Sequence, residues 1–436
     1  MRGGSATTEE GPRQKERYQL RIAVWHNLPS GGGKRALHDH VSGLVARGHY
    51  VESWCPPTAD QSFLAIGDLV LEHIVPLDTI EPIGWRGLAA RLAGGGSLIP
   101  ATLKAWDRHS QRCAEAMDKG GFDVLFAGSN MGFAVTSLAR YVKVPTLLYL
   151  QEPTRRLYEA IPRLPWVALD SKGLQFSAVR DRLRDAVAVH GMRIQAREEL
   201  AGVRAYDRVL ANSYFSRESM LRAYGIDASV CYLGVDTELF RDRGFPRTRL
   251  VVGIGAFTPI KRVEVVIEAV AQIRSARPAL AWIGNFAAPD YLKQLVVLAE
   301  RRGVAFTPYL AIPTEEVVRV LNEATVMAYA PRLEPFGYAP LEAAACGLPV
   351  VAQAEGGVRE TVIDGETGLL VGTQGELHGA LERILDDEVL ARRMGLAARH
   401  RAESTWSLSA AKDRLESHLF DLVEGKDRPA LDEPES

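Results

Sequence analysis

The chain has 436 residues, 47% hydrophobic and 24% charged, enough for two separate cores of roughly 200 residues each. Its 52 Lys and Arg against 54 Asp and Glu leave a formal charge of −2, which excludes the basic balance of a nucleic-acid binder and the acidic tail of a polyanion, so any charged ligand must be held locally. The four cysteines, Cys55, Cys113, Cys231 and Cys346, are far apart and form no CxxC pair; neither a disulfide framework nor a zinc site is expected, and the thiols suit small core positions in a reducing compartment.

Residues 1–17 are polar and lack the apolar run of a signal peptide, which predicts a disordered tail. "YQLRIAVWHNLP" then reads as a strand that breaks into "SGGGK". Helical spacing follows at Leu37, Val41, Leu44 and Val45. "HYVESWCP", "GFDVLFAGS", "VPTLLYLQEP" and "YDRVLANS" are further short apolar runs ending in polar or turn residues. The segment "WRGLAARLAGGGSLIPATLKAW" at 85–106 mixes Arg and Lys with Trp, Leu and Ile; it is expected to be a core helix with an exposed basic face, and could touch a membrane surface. Between Glu152 and Ala205 the pattern turns to long helices whose Arg and Glu positions read as solvated faces.

A charged, turn-rich stretch at 234–249 reads as a linker, after which the alternation restarts with "LVVGIGAF", "ALAWIGNF", "VAFTPYL", "ATVMAYAP" and "LPVVAQA". In the last helix, "WSLSAAKDRLESHLFDLV", Leu415, Leu419 and Leu422 share one face. "EGKDRPALDEPES" closes the chain as a loose tail, and no run approaches the ~18 uninterrupted apolar residues of a membrane span. The pattern predicts an α/β fold of two tandem doubly wound, Rossmann-like domains, 18–233 and 250–406. A helix at 407–424 and a tail at 425–436 follow. In such sheets ligands sit at the carboxyl ends of the strands, so the natural site is the cleft between the domains.

"RLEPFGYAPLEAAACGLPVV", residues 332–351, places two carboxylates in an otherwise apolar or small-residue stretch. Glu334 falls on the loop leaving a buried strand. Glu342 is expected in the first turn of the next helix, where the macrodipole favours an anion and backbone N–H groups near Gly337 and Tyr338 could hold a phosphate. The plainer alternative is that Glu342 complements the helix N-terminus and Glu334 is solvated.

The E-x7-E pattern flanking "PFG" and followed by "PLEAAACGLPVV" resembles the signature of the retaining nucleotide-sugar glycosyltransferases of family 4, group 1, with the GT-B fold. "VLANSYFSRESMLRAYG", "YLGVDTELF", "PIKRVEVVIEA", "GGVRETVIDGETGLLV" and "GGGKRALHDHVSGLVARGHYV" fall in the family's order and spacing. The resemblance implies that Glu342 accepts hydrogen bonds from the ribose, that Glu334 contacts the donor sugar, and that Lys261 pairs with the diphosphate. Arg262, Phe336, Gly337 and Tyr338 join the donor site, and Gly32 and Gly33 let the backbone approach the donor phosphate or the acceptor. "YLQEPTR" is similar to the Tyr-Cys-His-Thr-Pro-x-Arg segment of a mannosyltransferase-rich subgroup, and places Gln151 at the catalytic histidine position with Glu152 and Arg155 on the acceptor side. A second departure is Ala256 where the family carries an arginine, a position for which Arg262 could substitute.

The implied reaction transfers a hexose, with mannose a candidate, from a nucleotide diphosphate sugar to a glycan or lipid-linked acceptor. No Asp-x-Asp follows a strand, so neither metal nor cofactor is expected. The protein is expected to be cytoplasmic, able to work peripherally at the inner membrane face, and without a nucleic-acid partner. A non-catalytic relative that binds nucleotide or partners another transferase is the alternative. A retaining glycosidase with paired carboxylates ~5 Å apart is disfavoured, because it needs no diphosphate-binding helix and lysine.

Overall fold

A computed structural model describes residues 18–78, 99–160, 167 and 176–425. The expected tail 1–17 and all but Gly425 of the expected tail 425–436 lie outside the described residues, as do positions 85–98 of the amphipathic segment and most of the stretch just after Pro165.

The first sheet is built from β1 (Arg21–Asn27), β2 (Tyr50–Cys55), β3 (Leu71–Ile74), β4 (Val124–Asn130), β5 (Thr146–Tyr149), β6 (Arg208–Ala211) and β7 (Ser229–Val230). Its order is β3-β2-β1-β4-β5-β6-β7, with every pairing parallel. The second sheet contains β8 (Leu250–Ile254), β9 (Ala279–Gly284), β10 (Phe306–Leu310), β11 (Val326–Tyr329), β12 (Val350–Gln353) and β13 (Gly368–Val371). It runs β10-β9-β8-β11-β12-β13, again wholly parallel. Helices cover both faces, which is why β1, β5, β11 and β12 are buried along nearly their whole length and read as continuous apolar runs. Each sheet reverses its winding at one point, β1/β4 in the first and β8/β11 in the second, and a crevice opens there outside the strand ends.

The chain crosses between domains twice, and the crossings lie side by side. Val235 N–H donates to the Trp406 carbonyl at 2.7 Å, and Leu408 N–H donates back to Val235 at 3.0 Å. A Cβ on Gly234 would stand 2.5 Å from the Ser407 carbonyl oxygen, so only glycine allows this approach. The helix Leu408–Val423 then lies on the first domain's helix Gly32–Ala46, burying Leu415 and Leu419. Glu416, buried in this seam, accepts from Arg47 at 2.7 Å and pairs with His49 at 2.9 Å.

In the helix Phe176–Val203 the reading of Arg and Glu positions as solvated holds at Arg182, Arg193 and Arg197, which are exposed, and is corrected on the side that faces the loop after β5. Gln195 and Glu199 are 0% and 1% exposed. Glu199 accepts from Thr154, Gln195 and Tyr224, and Arg156 donates to Gln195. This network pins the loop after β5. All four cysteines are buried and free. Cys55 lies with His26 and Glu72 in a group whose candidate ligand atoms are within 4.8 Å of one another. His26 and Glu72 share a 2.8 Å hydrogen bond, and the buried Lys34 charge acts on Glu72 and Cys55.

Truncating the return helix at its most buried point tests its part in the first domain. Leu419→Ala is expected to cost about 3 kcal/mol, as for other large-to-small changes in a packed core. The loss should appear in urea denaturation as an earlier transition of the first domain. An unchanged midpoint would mean that the helix contributes nothing to that core.

Candidate functional site

The second domain supplies two charged side chains from loops at strand carboxyl ends. After β8, a turn of 3₁₀ helix, Pro259–Lys261, carries Lys261; after β11, the loop 330–337 carries Glu334. The Lys261 ammonium donates to both Glu334 oxygens, at 2.8 and 2.7 Å, and both side chains are 22% exposed. The helix Tyr338–Ala345 follows, started by Gly337 in a left-handed conformation with φ 100°. Glu342 is therefore the fifth residue of this helix, and the expectation that it lies in the first turn is corrected. It is not a cap; it is a buried carboxylate, 7% exposed. Burial raises its pKa, Arg35 lowers it and Asp39 raises it further.

Arg35 comes from the first domain, on the helix Gly32–Ala46, and its Nη1 donates to Glu342 at 2.5 Å across 307 residues of sequence. Tyr338 also bridges the domains, donating its hydroxyl to Asp39 at 3.2 Å. Gly31, with φ 143°, turns the chain from β1 into the helix, and Ser30, Gly31 and Gly32 border the cleft. The result is a cavity of about 400 Å³ between the two strand-end faces. Ile254–Ala256, Ile283–Asn285 and Tyr329 line it from the second domain, and Arg35 and Phe63 from the first. Both switch points open into this space, whose lining mixes apolar residues with polar and charged ones.

Other expected site residues take different places. The Arg262 guanidinium donates to Gln353 at 2.8 Å and to Gln374, and Arg262 is not among the residues bordering the cavity. Phe336 is buried, 3% exposed, in an aromatic cluster with Tyr232, Tyr338 and Trp406. A Cβ on Gly33 would stand 3.0 Å from the Gln151 amide oxygen, so Gln151 packs against the start of the helix Gly32–Ala46. Arg155 donates to Glu159 at 2.6 Å and reaches across the domains to the Arg332 carbonyl at 3.2 Å.

Glu152 follows Gln151 on the loop after β5. One of its oxygens is shut off from water without a hydrogen-bond partner, and its nearest cation is Arg155 at 3.7 Å. Desolvation, together with the charges of Glu334 and Glu159, pushes its pKa up to about 7 against the opposing effects of Arg155 and Lys261. Sequence reading missed Arg35, Asp39 and Glu360 as cross-domain contacts. Glu360 accepts from the Tyr214 and Phe215 N–H groups at 2.9 and 3.0 Å and from the Tyr232 hydroxyl at 2.8 Å. Its place in "GGVRE" was the available signal, since a carboxylate suits the first turn of the helix Tyr214–Tyr224.

Two parallel α/β domains facing each other across a charged cleft define the GT-B class of glycosyltransferases. Structures of that architecture superpose over nearly the whole chain. Sucrose-phosphate synthase from Thermosynechococcus elongatus matches with TM-score 0.67 and 20% identity, covering 93% of this chain and 100% of that one. HepE of Anabaena, in complex with UDP and glucose, matches with TM-score 0.64 and 18% identity, covering 92% and 100%. Residues 235–401 match the family described as "Glycosyl transferases group 1" and residues 30–239 match "Glycosyltransferase Family 4". The chain belongs to glycosyltransferase family 4, group 1. Among curated relatives, D-inositol 3-phosphate glycosyltransferase of Corynebacterium diphtheriae is 28% identical over 336 residues, 70% of this chain and 78% of that protein. GDP-mannose-dependent alpha-(1-6)-phosphatidylinositol monomannoside mannosyltransferase of Mycolicibacterium smegmatis is 34% identical over 237 residues, 48% of this chain and 61% of that protein.

The raised pKa of Glu152 has a direct consequence for stability. The folded state holds this proton more tightly than the unfolded chain, so its contribution is present below the unfolded value near 4.5 and is lost as pH rises through about 7. With 42% of the side chain open to water the effect is screened, so Glu152→Gln should melt only slightly above wild type at pH 8, and the difference should shrink toward zero by pH 5. Equal melting curves at pH 8 would show that the carboxylate is not held in its neutral form.

Proposed function

We propose that the protein is a retaining, metal-independent hexosyltransferase that uses a nucleotide diphosphate sugar as donor and a glycan or lipid-linked molecule as acceptor. The observation that carries this reading is the convergence of Lys261, Glu334 and Glu342 on one cleft at the strand carboxyl ends. Glu342 accepts from the ribose hydroxyls, Glu334 faces the sugar, and Lys261 faces the diphosphate. Breaking the anomeric carbon–oxygen bond leaves its electron pair on the phosphate, while the acceptor oxygen bonds the same carbon from the same face. The acceptor's proton passes to the departing phosphate oxygen. Charge then grows in two places, and fixed groups of opposite sign lower the barrier. Lys261 answers the phosphate, and Glu334 answers the positive anomeric centre. The bound UDP and glucose in HepE support a nucleotide donor, and the mannosyltransferase of M. smegmatis supports mannose as the sugar. Gln151, Glu152 and Arg155 face the acceptor on this reading. A lipid-linked acceptor would bring the first domain to the inner face of a membrane; among the described residues no helix is long and apolar enough to cross one.

Thermal unfolding with UDP, GDP, ADP and dTDP tests the donor site, since a ligand at ~100 times its dissociation constant stabilises by ~2.7 kcal/mol. A shift with none of them would overturn the reading. Glu334→Gln should lower kcat by roughly 10²–10³, with Lys261→Ala similar, because both groups act on charge that develops in the transition state. Glu342→Gln should chiefly raise the donor KM, since ribose contacts are present before and during reaction. Wild-type kinetics in both glutamate variants would instead favour a non-catalytic relative. Membrane contact is checked by sedimentation with anionic liposomes, where protein left in the supernatant argues against it.

A further inference from the structure

Among the described residues that border the cleft, the cations are Lys261 and Arg35 and the carboxylates are Glu334 and Glu342. Each cation is paired with one carboxylate, Lys261 with Glu334 and Arg35 with Glu342. The cleft is therefore balanced within itself. A nucleotide diphosphate brings about two negative charges and a set of hydroxyls, and both pairs compete with it: the carboxylates must be free to accept from hydroxyls, and the cations must be free to donate to phosphate. A single lysine is a point charge with no fork to match two phosphate oxygens, whereas a guanidinium has one. The two other candidates for that role are excluded by position. Ala256 lines the cleft but has no charge, and the Arg262 guanidinium is held outside by Gln353 and Gln374.

Arg35 alone combines the right chemistry with the right place. It sits one turn into the helix Gly32–Ala46, whose glycine-rich start borders the same cleft, and its side chain is 25% exposed. Its guanidinium carbon also lies 5.9 Å from the Phe240 ring, and Phe240 lines the cleft. At that distance, the outer edge of cation–π range, the ring holds the head group only weakly.

We propose that Arg35 is a diphosphate-binding residue, that it exchanges Glu342 for the donor's phosphates, and that the Arg35–Glu342 pair is the resting form of the site. This rests on the nucleotide-donor reading. On entry of the donor the ribose hydroxyls take over Glu342, the guanidinium turns to the phosphates, and the first domain thereby contacts the leaving group that the second domain's Lys261 also holds. The donor itself then bridges the two domains. The charge vacant at Ala256 is supplied from the opposite wall of the cleft.

Calorimetric titration of the full chain with a matched series, nucleoside, nucleoside monophosphate and nucleoside diphosphate of the base that stabilises wild type, tests this. Arg35→Ala should weaken the diphosphate by about 10- to 100-fold, the span of a lost hydrogen bond to a charged group, and leave the nucleoside unchanged or tighter because Glu342 has lost its competitor. Arg35→Gln keeps an N–H donor for the buried Glu342 while removing the charge. It guards against a folding defect and should show the same selective loss. A diphosphate affinity equal to wild type in both variants overturns the proposal. So does an equal loss for nucleoside and diphosphate, which would make Arg35 a structural partner of Glu342 only. If wild type binds none of the series, the donor reading itself has failed and the proposal falls with it.

Discussion

The close passage of two backbone segments governs the candidate site. A Cβ on Gly356 would lie 2.4 Å from the Glu334 carbonyl oxygen, and one on Gly357 would lie 2.3 Å from that of Pro335. No other residue fits at either place. The contact is bonded as well as tight, for the Gly357 N–H donates to the Glu334 carbonyl at 2.8 Å. Leu333, just before Glu334, is held at φ 48°, a conformation a side chain adopts only when its surroundings impose it. The loop is thus fixed by its neighbours, and Glu334 inherits that fixed position. The same stretch touches the first domain: the Ser213 hydroxyl donates to the Pro335 carbonyl at 2.5 Å, and Glu360, three residues past Gly357, takes the first N–H groups of the helix Tyr214–Tyr224. The position of Glu334 and the seating of one domain on the other are therefore parts of one arrangement.

Charge in the cleft follows a complementary logic. A carboxylate as buried as Glu342 is costly unless paired, and removing the partner of a buried charge usually costs more than the pair contributes. Arg35 meets that requirement from the opposing domain, so the charge on Glu342 helps to hold the two domains together. Lys261 and Glu334 are more exposed, and their attraction is correspondingly more screened. Only the buried pair also ties one domain to the other.

Much of this was legible in the sequence. The alternation of short apolar runs with helical spacing marked two parallel sheets, and every long central strand fell on a run read that way. The strands that escaped, β3, β7 and β13, are two to four residues long and lie at or near sheet edges, where periodicity carries little signal. Glu334, Lys261 and Glu342 were legible as a group, but the setting of Glu342 was not. The helix was read as beginning closer to Glu342, whereas it begins at Tyr338, with Gly337 in its left-handed conformation as the N-cap, which moves Glu342 out of the first turn. Arg262 looked interchangeable with the missing arginine because adjacency in sequence says nothing about side-chain direction. It is the C-cap of one turn and the N-cap of the next at φ 54°, which aims its side chain away from Lys261 onto two glutamines. Arg35 could not be found from local pattern at all, since its partner is 307 residues away. Gln195 and Glu199 were hidden by composition, because a buried hydrogen-bonded polar stripe and a solvated one spell the same letters.

The hinge completes the physical picture. Gly234 and Ser407 hold the two crossings together, and the aromatic group of Tyr232, Phe336 and Trp406 packs between these crossings and the Glu334 loop. These close-packed rings tie the crossings to Phe336, two positions from Glu334. The contacts that close the cleft are of another kind: the Arg155–Arg332, Ser213–Pro335, Tyr338–Asp39 and Glu360 hydrogen bonds are mostly polar and partly exposed. Such bonds contribute about 0.5–1.5 kcal/mol each, because water replaces them when they break. Together these contacts therefore contribute only a few kcal/mol, and the buried Arg35–Glu342 pair adds to the same seam. Apolar packing at the crossings beside a mostly polar seam lets one sequence hold the Glu334 loop in register with both domains.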